Sequence, residues 1–164
     1  MKPASHVSFS DVRAAADRIR GRVHRTAVAT SATLDRELSA SVFFKCENQQ
    51  KCGAFKARGA VNAVFALAED AAQRGVVTHS SGNHAAALAY AAAARGIPCA
   101  VVMPETAPKV KVDAVRGYGA EVVFCKPAER ESRCAELQRQ RGATLVHPFE
   151  NFHVIAGQIG RAHV

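Results

Sequence analysis

Between Gly75 and Gly142 the chain repeats one unit: a glycine, a short β-rich run, then a longer helical pattern. Val76 to His79 reads as a strand and Asn83 to Arg95 as an alanine-rich helix; Pro98 to Met103 is a strand and Pro108 to Tyr118 a helix. Glu121 to Cys125 is a strand, Ala128 to Arg141 a helix, and Thr144 to His147 a strand. Gly96, Gly119 and Gly142 mark the returns at near-even spacing, as glycine does where a helix ends. Strands alternating with helices of this length predict βαβ units and a parallel sheet, with right-handed crossovers. The fold class is therefore α/β.

The first half is less regular. Ser8 or Ser10 can cap a helix whose apolar positions are Val12, Ala15, Ala16 and Ile19, with Gly21 to end it. Arg22 to Ser31 reads as loop, Ala32 to Leu38 as a short helix, Val42 to Cys46 as a buried strand, and Ala57 to Ala72 as one helix. No low-complexity linker divides the chain. With 164 residues, 48% of them hydrophobic, it can bury a core.

Composition narrows the function. No apolar run approaches the ~20 residues of a membrane span. Residues 1–10 lack the apolar centre of a signal peptide, so a cytoplasmic protein with no membrane partner is expected. The five cysteines are odd in number and form no C-x-x-C, which argues for reduced thiols over disulfides or structural zinc. The net charge of +8 is spread over scattered arginines, loosely clustered only from Arg18 to Arg25. That is the pattern of a solvated surface, and no nucleic-acid partner is expected.

Two short stretches carry chemistry. Lys56 follows Phe55, three residues after Gly53, where a loop turns into a helix. The partial positive charge and unpaired N–H groups of a helix start disfavour protonation of a nearby lysine, and a nucleophilic lysine needs a lowered pKa. The bland alternative is a solvated surface lysine. The second stretch, Ser80-Ser81-Gly82-Asn83-His84, joins a strand to a helix and presents backbone N–H groups, a ready anion site. Asn83 could simply cap that helix. His79 and His84 read as structural histidines.

Taken together, the stretches resemble the fold-type II pyridoxal-phosphate enzymes, and within them the serine/threonine dehydratase and serine racemase family. The family pattern K-x-E-x-x-Q-x-x-G-(S/A)-F-K-x-R-G-A is matched by Lys45, Glu47, Gln50, Gly53, Ala54, Phe55, Lys56, Arg58, Gly59 and Ala60. The resemblance runs from about Phe9 to Gln158. It implies parallel twisted sheets with helices on both faces, incomplete at the C-terminus. It implies pyridoxal 5'-phosphate as cofactor, joined to Lys56 as a Schiff base, with Lys56 then able to take the substrate α-proton. Phe55 would border the cofactor ring or serve as core, and Asn83 would hydrogen-bond the phenolic oxygen. Ser80, Ser81, Gly82, Asn83 and His84 would hold the substrate carboxylate. Ser81 would face Lys56 across the substrate, where a second acid/base permits racemisation. Arg58 would be an ion-pair or capping residue, and Gly59 would allow close helix packing.

The activity implied is dehydration and deamination of L-threonine or L-serine to a 2-oxo acid and ammonia; the alternative is interconversion of L- and D-serine. A small amino acid is the expected substrate, and a homodimer or larger homo-oligomer the expected full-length assembly. By resemblance, residues 1–76 begin a large cofactor domain, 77–148 form a small domain, and 149–158 start the return. The glycine-rich phosphate loop and the metal ligands of relatives would lie in a C-terminal part with no counterpart here. The chain alone is thus expected to bind the cofactor poorly, and a non-catalytic fragment is the second class of reading. Residues 159–164, Ile-Gly-Arg-Ala-His-Val, match the translation of a common sequencing-adapter sequence and are expected to be a non-native tail. Ala85 and Ala86 follow His84 where the family has glycine or alanine and then glutamine. Lys51 and Thr30 to Thr33 lie where nucleotide-regulated racemases bind their effector.

Overall fold

The computed structural model describes residues 6–158. The expected tail lies outside them. Helix α1 (Phe9–Ile19) starts with a capping box: Asp11 N donates to Ser8 Oγ at 3.3 Å, and Ser8 N donates to Asp11 Oδ2 at 2.9 Å. Of the two candidate caps, Ser8 is the one used.

Strands β1 (Val28–Thr30) and β2 (Phe43–Lys45) pair antiparallel with Ala29 opposite Phe44, and α2 (Ala32–Leu38) lies between them in sequence. Two expectations are corrected here. The stretch from Arg22 to Ser31 contains a strand. The run at Val42 to Cys46 is a strand but is not buried: every residue of β2 is exposed, Phe43 by 69%. The apolar run signalled a strand, but both strands of this two-stranded sheet are exposed along their whole length, so it is not core.

The helix expected over Ala57 to Ala72 is two helices, α3 (Lys56–Phe65) and α4 (Glu69–Gln73). The Arg95 guanidinium explains the break. It donates to the carbonyls of Val64 and, at 2.9 Å, Leu67, taking acceptors that a continuing helix would use.

From residue 76 the alternation holds. The elements are β3 (Val76–His79), α5 (Asn83–Arg95), β4 (Cys99–Pro104), α6 (Lys109–Gly117), β5 (Glu121–Cys125), α7 (Arg130–Arg141), β6 (Thr144–Leu145) and α8 (Phe152–Gln158). The four strands run parallel in the order β5-β4-β3-β6. Alternate residues face opposite sides. Val77, Ala100 and Val102 pack with Cys134 and Leu137 of α7, while Val101 and Met103 pack with Ala85 and Ala89 of α5 and Val112 and Val115 of α6. Helices therefore cover both faces, as expected. Among the described residues no helix is long and apolar enough to cross a membrane.

Two glycines bring α3 and α8 together. A Cβ on Gly59 would stand 2.6 Å from Val154 O, and one on Gly157 would stand 2.7 Å from Asn62 Cβ. The missing side chains let the helices touch backbone to backbone, and α3 is buried along most of its length. This placement matters because α3 carries Lys56.

Candidate active site

Two 3-10 turns, Glu47–Gln49 and Lys51–Gly53, lead into α3, and Lys56 is its first residue. The loop is braced from one side. Arg58 grips Glu47 with two bonds, Nη2 to Oε1 at 2.6 Å and Nε to Oε2 at 2.8 Å. Thr26 Oγ1 donates to the same carboxylate at 2.7 Å, and Lys45 Nζ donates to Thr26 O at 2.6 Å. Gln50 clasps His24, accepting its N–H and donating to its carbonyl, both at 2.8 Å. Burial alone would raise the Glu47 pKa; the hydrogen bonds from Arg58 and Thr26 outweigh it and hold the carboxyl below its ordinary value. Lys45, Glu47, Gln50 and Arg58 thus fasten the lysine's loop to residues 24–26. Of the two roles open to Arg58, the ion pair is the one found.

The Lys56 side chain crosses to a distant segment. Its Nζ donates to Pro148 O at 2.7 Å and lies 5.2 Å from the centre of the Phe55 ring. His84 reaches the same segment, its Nε2 2.9 Å from Val146 O. A carbonyl only accepts, so Nε2 carries the proton. His84 is 3% exposed, and its Nδ1 is buried without a hydrogen-bond partner. Burial pushes its pKa down to about 4, against the Val146 bond, and the Lys56 charge adds to the fall. Lys56 and the residue closing the Ser80–His84 stretch therefore meet on one support, Val146 to Pro148.

That stretch sits at the carboxyl end of β3, where open α/β sheets place their ligands. Ser80 N donates to Val102 O at 3.2 Å, and Ser80 Oγ accepts from Gly82 N at 3.3 Å. Ser80, Ser81 and Gly82 are half-buried. Gly82 is the N-cap of α5, so the simple capping role for Asn83 does not hold. Asn83 is exposed, and its Oδ1 accepts from Lys111 Nζ at 3.1 Å. A Cβ built on Gly82 meets nothing within 4 Å, so space lies in front of the turn.

Next to it, the His79 and His147 rings meet edge to face with centroids 5.3 Å apart. Burial, then the His147 charge, lowers the His79 pKa. Among the described residues no group of three or more His, Cys, Asp or Glu could hold a metal ion. Sequence reasoning missed Val146 to Pro148 as a support and Lys111 as a contact. A backbone carbonyl leaves no side-chain signature, and Lys111 lies on another helix.

The family model described as "Pyridoxal-phosphate dependent enzyme" matches residues 19–163. Serine racemase of Dictyostelium discoideum is 48% identical over 160 residues, covering 96% of this chain and 49% of its own length. Its crystal structure superposes with a TM-score of 0.89, covering 92% of this chain and 50% of that one. The beta-hydroxyaspartate dehydratase of Paracoccus denitrificans (strain Pd 1222) is 51% identical over 153 residues, covering 92% of this chain and 49% of its own. The T.th. threonine deaminase superposes with a TM-score of 0.85 at 43% identity, covering 92% of this chain and 48% of that one. The chain spans about half the length of these relatives. The residues present suit pyridoxal phosphate: Lys56 offers an amine, Phe55 an aromatic face beside it, Asn83 an amide, and the start of α5 backbone N–H groups beside the open space at Gly82.

Proposed function

The chain belongs to the pyridoxal-phosphate-dependent enzyme family, and on that premise we propose that the full-length protein removes the α-proton of a small β-hydroxy amino acid, L-serine or L-threonine, and releases its β-hydroxyl to give a 2-oxo acid and ammonia. The observation that carries this reading is the shared support: Lys56 and His84 both bond the stretch from Val146 to Pro148, at 2.7 and 2.9 Å.

Bound beside Lys56, pyridoxal phosphate supplies an aldehyde for an amine and a ring that accepts electrons from the α-carbon. The protein's own residues do the rest. The turn from Ser80 to Asn83 binds the substrate carboxylate through N–H groups at the start of α5, where the helix dipole favours an anion. The Lys56 amine receives the α-proton. The Phe55 ring bounds the space on the lysine's side. His84, neutral at physiological pH, ties the turn to the segment after β6 without placing a cation beside the Lys56 amine. Ser81 sits on the turn and is the candidate to return a proton from the opposite face.

Ser81 also favours a second reading, racemisation of serine, which shares the proton removal; serine racemases are among the similar proteins. The test is to supply L-serine and L-threonine to the full-length protein and measure 2-oxo acid, ammonia and D-serine together. Lys56→Ala removes all products, and Ser81→Ala lowers D-serine selectively. Dominant D-serine would replace the dehydratase reading with the racemase one; full activity in Lys56→Ala would end both.

A further inference from the structure

Asn83 opens α5 but does not cap it, so its amide is available for another use. That amide is held from a neighbouring helix. Lys111, in the first turn of α6, donates from Nζ to Asn83 Oδ1 at 3.1 Å. An ammonium has three donors and no acceptor. The oxygen of the amide must therefore face the lysine, and Nδ2 with its two N–H groups must face away.

This contact is not a by-product of a helix ion pair. The positions three and four residues either side of Lys111 are Pro108, Ala107, Ala114 and Val115, none of them acidic. The nearby acid, Asp113, is engaged by Lys109 at 2.5 Å. The packing of Ala85 and Ala89 of α5 against Val112 and Val115 of α6 fixes the two helices in register.

We infer that Lys111 is a positioning residue for the cofactor: by holding Oδ1 of Asn83, it turns Nδ2 outward as a donor for an acidic oxygen on the ligand's ring. The inference rests on the pyridoxal-phosphate reading above. A bond from a charged donor polarises the amide and strengthens what the N–H groups then give. Without Lys111 the amide rotates freely, and half its orientations present a carbonyl to an oxygen it cannot bond.

The test titrates pyridoxal 5'-phosphate into the full-length protein and into Lys111→Met, Lys111→Arg and Asn83→Ala variants. Occupancy and the absorbance maximum of the bound cofactor are read at one fixed pH. Lys111→Met weakens the apparent affinity about three- to tenfold, the scale of a partly screened charged hydrogen bond, and moves the absorbance maximum. Lys111→Arg restores most of both. In the Asn83→Ala background, Lys111→Met changes nothing further, which separates positioning through Asn83 from general stability. Unchanged affinity and absorbance in Lys111→Met, with the native protein binding normally, overturns the inference alone. Absence of cofactor binding by the native protein overturns the reading beneath it.

Discussion

The contact between α3 and α8 gives a stringent prediction, the effect of Gly59→Ala. An ideal Cβ at residue 59 lies 2.6 Å from Val154 O and 3.0 Å from Val154 Cγ1, where ordinary contact begins at 3.4 Å. The shortfall against the carbonyl is 3.4 − 2.6 = 0.8 Å. The carbonyl belongs to α8 and cannot rotate away as a flexible side chain could, so the two helices must part. Overpacking of this kind costs about 1–3 kcal/mol. Alanine returns about 1 kcal/mol of helix propensity. The net is a loss of up to about 2 kcal/mol. Gly117→Ala is the control: residue 117 ends α6 without a left-handed backbone, and a Cβ there meets nothing within 4 Å. Urea unfolding of the native protein and both variants reads the difference directly. Gly59→Ala should unfold at lower urea and Gly117→Ala at the same or higher. A Gly59→Ala midpoint as high as that of Gly117→Ala would refute the reasoning that backbone contact sets the helix spacing.

Further outcomes follow from the site. Glu47 has a folded pKa below its ordinary 4.5. Its stabilisation is complete above that value and is lost as pH falls through the lower folded value. Unfolding below pH 4.5 should thus be less pH-dependent in Glu47→Gln, which at neutral pH is about 2 kcal/mol less stable; parallel acid-unfolding curves for the two proteins would contradict this. His84, with a folded pKa of about 4 against 6.5, favours folding most above pH 6.5 and loses about 3 kcal/mol as pH falls to 4. Imidazole NMR should show the neutral Nε2–H tautomer at pH 5.5 to 6, and a midpoint near 6.5 would show the ring is not buried neutral. The 164-residue chain by itself should bind pyridoxal phosphate poorly; a strong cofactor absorbance band lost on Lys56→Ala would disprove that.

Local, repeated signals were legible in the sequence. The α5 span, Asn83 to Arg95, matches residue for residue, because glycines bound it and alanines fill it. The parallel sheet followed from alternation alone. Elements that a distant group decides were not legible. Arg95 splits the expected long helix by binding carbonyls of Val64 and Leu67, a contact no local pattern encodes. Val42 to Cys46 looked like core because Phe43 and Phe44 are apolar, but burial depends on what else packs there, and Phe43 is exposed. At the candidate site, Lys56 and the Ser80 turn were legible as motifs. Their common seat on Val146 to Pro148 was not, since backbone oxygens look alike in every sequence.

The hydrogen bond from Lys56 spans 92 positions. During synthesis the amine leaves the ribosome long before Pro148 does. Until that proline arrives, the bond to its carbonyl cannot form. That one tie on the amine is therefore made late, once the chain just beyond β6 is in place.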